Sequence, residues 1–209
     1  NIARIEDNTV LIGDRRIYPF KKEFVSCHSI EDVALAIETM VTQGGGPLRT
    51  AMVAMLFLAG KADRGEIKPT AETFIGAKKR LQITRPTNTT MARILESLVN
   101  IICKEIENGY SLELTVQGFI DEFQKEYEKN YFAMADIGSS LINDGDGVLT
   151  MCFAETSFLL TIALALEQGK DIKIYSPETR PYLQGARLTA PCLMEIGADV
   201  TLITDSMCA

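Results

Sequence analysis

The stretch from Gly147 to Asp205 reads GVLTMCFAETSFLLTIALALEQGKDIKIYSPETRPYLQGARLTAPCLMEIGADVTLITD. It holds three short apolar runs, at 148–150, 172–175 and 200–203, each rich in β-branched or aromatic side chains and too short for a helix, so they predict buried strands. Segments of helical length separate them and end at Gly169 and Gly197, where a left-handed C-cap falls. Strand, helix, strand, helix, strand predicts parallel pairing through right-handed crossovers. In an open parallel sheet, ligands sit beyond the carboxyl ends of the strands, where loops converge and helix N-termini present their amides. Cys152 follows the first strand, Glu178, Thr179 and Arg180 follow the second, and Asp205 follows the third. A thiol, a guanidinium and a carboxylate on one rim suit an anionic, hydroxylated small molecule.

Working upstream, Asp144-Gly145-Asp146-Gly147 marks a turn and the change from helical to strand-like period. The domain boundary is placed near residue 142: 1–142 reads as a mainly helical domain with a small β meander, 143–209 as the first half of a Rossmann-like α/β domain. A sheet that stops at its third strand presents a bare edge, so the expectation is that the domain is truncated here and continues beyond Ala209. A helix over 115–142 carries Val116, Phe119, Ile120, Phe123, Tyr127, Tyr131, Met134, Ile137 and Leu141, read as core. Another over about 91–106 is closed by Asn108-Gly109, and a third covers 70–81.

Two loops between these helices hold candidate ligand contacts. Gln43-Gly44-Gly45-Gly46-Pro47 precedes an almost wholly apolar helix over 48–59; glycines let backbone approach a ligand closely, and Pro47 suits a first helical turn. The geometry is compatible with phosphate, although a glycine cluster between helices is more commonly a plain turn. Arg85, in Thr84-Arg85-Pro86-Thr87, sits at an element boundary because the residue before proline avoids the helical region; a solvated arginine is the ordinary outcome there. Ser29 opens a further helix, with Asp32 placed to complete a capping box. Residues 3–20, with turn candidates Asp7-Asn8 and Gly13-Asp14, predict the antiparallel meander.

With 209 residues and 46% hydrophobic content the chain has material for a packed core, and its net charge of -7 argues against nucleic acid or an anionic membrane as main partner. No run is long and apolar enough to span a bilayer, and the first ten residues lack the sections of a signal peptide. Five cysteines without disulfide or zinc spacing suit a reducing cytoplasm, and the single histidine, His28, leaves little room for a His-based triad or a His metal site.

Cys152 ends a strand directly before a helix read over 154–168, where unpaired amides favour a reactive thiolate; an inert buried thiol is the commoner fate of a cysteine, and Cys27, Cys103, Cys192 and Cys208 receive that reading. Asp205, partly buried at a rim, suits proton transfer or, equally, an N-cap for a helix beginning at Ser206.

The block PETRPYLQGARLTA, with TMCFAE before it, LITDSM after it, and ITRPTN and MVTQGGGP upstream in the same order, resembles the methylthioribose-1-phosphate isomerase family. That family shares its fold with ribose-1,5-bisphosphate isomerases and with regulatory subunits of the translation-initiation guanine-nucleotide exchange factor. The resemblance covers nearly the whole chain. It implies aldose-ketose isomerisation of a pentose 1-phosphate, with Cys152 and Asp205 on the two acid/base positions, and Gln43, Gly44, Gly45, Arg85 and Gln184 contacting phosphate and hydroxyls. It also implies a homodimer and a reaction that requires neither metal nor organic cofactor. Arg180 is expected to hold loops together through carboxylates such as Glu178. The alternatives are a non-catalytic sugar-phosphate- or nucleotide-binding regulatory subunit and an isomerase of another pentose, such as ribose 1,5-bisphosphate. Three departures bear on the choice: Gln43 stands where the isomerases usually have arginine, Met151 and Phe153 flank the thiol where a histidine and often an asparagine are usual, and Gly46 replaces a usual proline.

Overall fold

Asp7 and Asn8 both adopt left-handed backbone, φ 47° and 55°, and close a two-residue hairpin of the kind whose twist matches the flanking strands. The computed structural model describes residues 2–153 and 155–208. The hairpin joins β1 (Ala3–Glu6) to β2 (Thr9–Gly13), and β3 (Phe24–Cys27) pairs with β2 in an antiparallel sheet of order β1-β2-β3. The meander thus runs further than the expected 3–20, because Asp14–Lys21 contains a turn with a cis Tyr18-Pro19 bond before the third strand starts.

Helix α1 (Ile30–Glu38) begins as its sequence dictates: Ser29 Oγ accepts the Asp32 N–H at 3.1 Å, and Asp32 Oδ2 accepts the His28 N–H at 2.9 Å. The centre of this region is α2 (Gly46–Asp63), thirteen of whose eighteen residues are buried, as a helix apolar on every side requires. Around it pack β1, β2, α1, α3 (Ala71–Gln82) and α4 (Thr89–Asn108). Asp63, the last residue of α2, accepts the N–H groups of Leu112 and Glu113 and the Ser111 hydroxyl, capping α5 (Leu112–Ser140).

The chain divides into two compact units, one of residues up to Ile17 with Lys21–Gln124, the other of Tyr18–Phe20 with residues from Lys125 onward. The division falls inside α5, ahead of the change of sequence period near 142. Val116 and Ile120 of α5 enter the first core. Phe119 and Phe123 pack against the same core, but further along the stripe leaves it: Met134, Ile137 and Leu141 are exposed, and Ala135 and Ser139 face inward instead. Small size explains the choice, since a Cβ on Gly138 would stand 2.8 Å from Thr161 Oγ1, too close for anything but small residues on that face of α5.

In the second unit β4 (Gly147–Leu149), β5 (Lys173–Pro177) and β6 (Asp199–Ile203) form a parallel sheet of order β4-β5-β6, with Val148, Ile174 and Val200 in register. α6 (Glu155–Glu167) connects the first pair; a π turn, Gly185–Thr189, runs into α7 (Ala190–Glu195) and connects the second. Ala154, the expected first residue of α6, lies outside the described residues. Right-handed crossovers that progress in one direction leave both helices on one face, where Ile162, Ala165, Ile174 and Leu193 share a core. The other face is open, with Leu149 52% and its register partner Tyr175 36% exposed. The strands are therefore half-buried, not fully buried as their apolar runs predict. The fold class is as expected: a helical region with a small antiparallel sheet, then a Rossmann-like parallel α/β region.

Candidate functional site

Three strand tips in the second unit are tied together by hydrogen bonds. After β4 the chain turns sharply at Cys152, whose φ of 59° is left-handed; after β5 Thr179 does the same at φ 60°. Thr179 Oγ1 accepts the Cys152 N–H at 3.1 Å and donates to Pro177 O at 3.2 Å. After β6, Asp205 Oδ1 accepts the Thr179 N–H at 2.7 Å and its Oδ2 accepts the Arg180 N–H at 2.8 Å. From the opposite side, Thr189 Oγ1, the last residue of the π turn, donates to Cys152 O at 2.5 Å. Cys152 and Asp205 are each half-buried.

The carboxylate of Asp205 does not cap its own 3-10 turn, Asp205–Cys208, but the turn that follows β5. Arg180 contributes to this through its main chain rather than its guanidinium, so the expected side-chain brace to Glu178 gives way to a main-chain one. Gly185 shows why the segment is glycine here: a Cβ would lie 1.7 Å from Pro177 O. Gln184, immediately before the π turn, is half-buried. Cys27 offers the contrast expected of an inert thiol, 1% exposed and pushed up to about 11 by burial and then by the charge of Asp32.

The remaining candidates belong to the first unit and form a group of their own around Met40, the residue after the α1 C-cap. Met40 is left-handed at φ 63°, where glycine is usual. Arg85 Nη2 donates to Ile37 O at 2.9 Å and approaches Met40 Sδ at 2.7 Å, and Gln43 Nε2 donates to Met40 O at 3.5 Å. The guanidinium thus sits on the carbonyl end of α1, where a cation is favoured, and is not the solvated arginine that its position beside Pro86 would ordinarily give. Gly44, left-handed at φ 64°, and Gly45, the N-cap of α2, follow. Buried Oγ1 atoms of Thr42 and Thr50 and the Oε1 of Gln43 have no hydrogen-bond partner among the described residues. Thr42 Oγ1 occupies the space beside Gly46, 1.9 Å from where a Cβ would stand, so this position has no room for a larger residue.

Seven described residues other than glycine have positive φ. Asp7 and Asn8 close the hairpin; Met40, Cys152, Glu155, Thr179 and Leu183 all lie beside candidate residues. Left-handed backbone costs a non-glycine residue about 1–2 kcal/mol and persists where surrounding contacts impose it, a pattern common at functional sites. Residue type alone points to Cys152 and Asp205; it does not single out Met40, Thr179 or Thr189. A β-branched hydroxyl two residues past a strand end was the available signal for Thr179.

A helical region with a small antiparallel sheet, followed by a parallel α/β unit with a thiol and a carboxylate on its rim, defines the class. The sequence matches the Initiation factor 2 subunit family over residues 44–209, and the chain belongs to that family. It is 38% identical to a methylthioribose-1-phosphate isomerase from Thermosipho melanesiensis and 35% identical to a putative methylthioribose-1-phosphate isomerase from Archaeoglobus fulgidus, in each case over 96% of this chain. Among solved structures it is similar to translation initiation factor eIF-2B, subunit delta, from A. fulgidus, at 32% identity and TM-score 0.74 over 99% of this chain. The fold is also that of 5-methylthioribose 1-phosphate isomerase from Pyrococcus horikoshii, at 24% identity and TM-score 0.73. The chain spans 60% to 62% of the length of these relatives. No helix among the described residues is long and apolar enough to cross a membrane.

Proposed function

We propose that the complete protein is an aldose-ketose isomerase that converts 5-methylthioribose 1-phosphate, or a related pentose 1-phosphate, to the ketose 1-phosphate. The observation that carries this reading is the chain of hydrogen bonds from Cys152 through Thr179 to Asp205, which ties the thiol residue and the carboxylate residue to one strand-tip rim. Curated relatives bearing the isomerase name support it. Phosphate on the anomeric oxygen prevents the sugar from opening as a free hemiacetal does, so a proton must be supplied to the ring oxygen. Asp205 gives that proton and recovers one from the C2 hydroxyl, while Cys152 moves the carbon-bound proton from C2 to C1, so that C2 becomes the carbonyl, the ring oxygen a hydroxyl, and both residues return to their starting state. The conversion is redox-neutral within the substrate and calls for no added cofactor. Gln43, Gly44, Gly45, Arg85 and Gln184 are proposed contacts for phosphate and hydroxyl groups. The same reading places the protein in the cytoplasm as a homodimer, which light scattering in solution checks.

The test is turnover by the full-length protein of a panel of pentose 1-phosphates, followed by proton NMR, with Cys152→Ser and Asp205→Asn alongside. Loss of at least about a hundredfold in each variant is expected for groups that move protons; undiminished turnover in both would remove their roles. A non-catalytic regulatory subunit is the second reading, favoured by the likeness to the subunit delta structure and by Gln43, which lacks the fixed charge of arginine. Tight pentose-phosphate binding with no turnover by the unmutated protein decides for it.

A further inference from the structure

We propose that Thr179 is a positioning residue that holds Cys152 and Asp205 in one frame, an inference that rests on the isomerase reading for its functional meaning but not for its geometry. Thr179 is the only described residue bonded to both: its N–H meets Asp205 Oδ1 at 2.7 Å and its hydroxyl oxygen meets the Cys152 N–H at 3.1 Å. The two bonds leave from different parts of the residue, so both are satisfied together only while Thr179 keeps its left-handed backbone at φ 60°. A β-branched residue adopts that conformation only under constraint. The constraint is visible: the hydroxyl proton is directed to Pro177 O at 3.2 Å, which leaves the oxygen lone pairs toward Cys152. Arg180 N–H on the second carboxylate oxygen prevents Asp205 from rotating away.

Cys152 is itself left-handed and is gripped from both sides, its N–H by Thr179 and its carbonyl by Thr189. A thiol on a residue so held has a fixed direction. Release of either grip lets the backbone relax toward ordinary φ, which makes the sulfur more accessible to small reagents while taking it out of alignment for proton transfer. Faster alkylation with slower turnover is therefore the signature of lost positioning, and a merely structural role does not produce it.

Three substitutions in the full-length protein separate the parts played by hydroxyl and backbone. Thr179→Ser keeps the hydroxyl, Thr179→Val keeps the shape without it, and Thr179→Gly removes it while accepting left-handed backbone freely. Iodoacetamide labelling of Cys152, read peptide by peptide to separate it from the other four cysteines, is run across pH beside steady-state kinetics. Loss of one hydrogen bond predicts Cys152 labelling about tenfold faster and kcat about tenfold lower, at unchanged KM, for Val and Gly, with Ser within about twofold of wild type. Should the Val variant fail to fold, the Gly variant carries the same comparison. Val and Gly matching wild type in labelling, or Ser as altered as Val, overturns the proposal. If the unmutated protein shows no isomerisation yet Val and Gly alter Cys152 labelling as described, the positioning stands and the isomerase reading falls. If isomerisation is found and the variants leave both readouts unmoved, the reverse holds.

Discussion

The two compact units hold their candidate residues by opposite means. In the first, Arg85 and Gln43 reach Met40 and the end of α1 with their own side chains, so the groups that a ligand would use are engaged by the protein. In the second, Cys152 is held by its own N–H and carbonyl through threonine hydroxyls, so the thiol takes no part in the bracing, while Asp205 is held through its carboxylate by main-chain amides. The difference teaches that main-chain bonds can position a thiol without engaging its sulfur, although the partner carboxylate is itself engaged. Substitution of the holders should then act on the second unit's chemistry, whereas in the first unit holder and contact are the same residue.

The largest effect is expected at Gly185. Its missing side chain faces the Pro177 carbonyl, backbone that cannot yield, so Gly185→Ala should destabilise the protein by about 3 kcal/mol in urea unfolding. Gly46 sharpens the comparison because its clash is with a side chain, Thr42 Oγ1. Gly46→Ala alone should cost about 2 kcal/mol, and adding Thr42→Ala should recover most of it, since the obstructing atom is then gone. If both glycine variants were equally rescued by trimming neighbours, the distinction between a backbone-built and a side-chain-built loop would fail.

Asp63 comes next. Burial raises its pKa, but the Ser111 hydroxyl and the N–H groups of Glu113 and Leu112 outweigh this and hold the carboxyl below its ordinary range. A carboxyl lowered on folding contributes stability above its unfolded pKa and loses it as pH falls through the lowered folded value. Asp63→Asn should therefore cost about 1 kcal/mol near neutral pH and progressively less in acid, read from chemical melts at several pH values. The smallest effect belongs to the exposed stripe of α5: Ile137→Ser should stay within about 0.5 kcal/mol, whereas Ala135→Leu, on the inward face, should not.

That last pair marks where residue pattern misleads. Along α5 the apolar residues Met134, Ile137 and Leu141 lie at helical spacing and invite a core assignment, yet close packing selected the small ones, Ala135, Gly138 and Ser139. Periodicity reports hydrophobicity; it is silent on the distance of approach. By contrast the three strands, their parallel order, the Ser29 cap and the Gly109 and Gly197 stops were legible because each depends on a few adjacent residues. At the candidate site, residue type marks Cys152 and Asp205. The bonds that join them run between residues 25 to 37 positions apart, through left-handed backbone that no propensity favours, and so only coordinates reveal them.

The π turn over Gly185–Thr189 carries a consequence for length rather than composition. Such a turn is an α-helix that has accommodated one surplus amino acid. Excision of Ala186 would let the ordinary ladder close straight through to α7 and swing everything ahead of it by roughly 100° about the axis. Gln184 would then be presented from a new azimuth with scarcely a change in which atoms line the strand tips. A one-residue deletion at this spot would thus reorient Gln184 more abruptly than any point change.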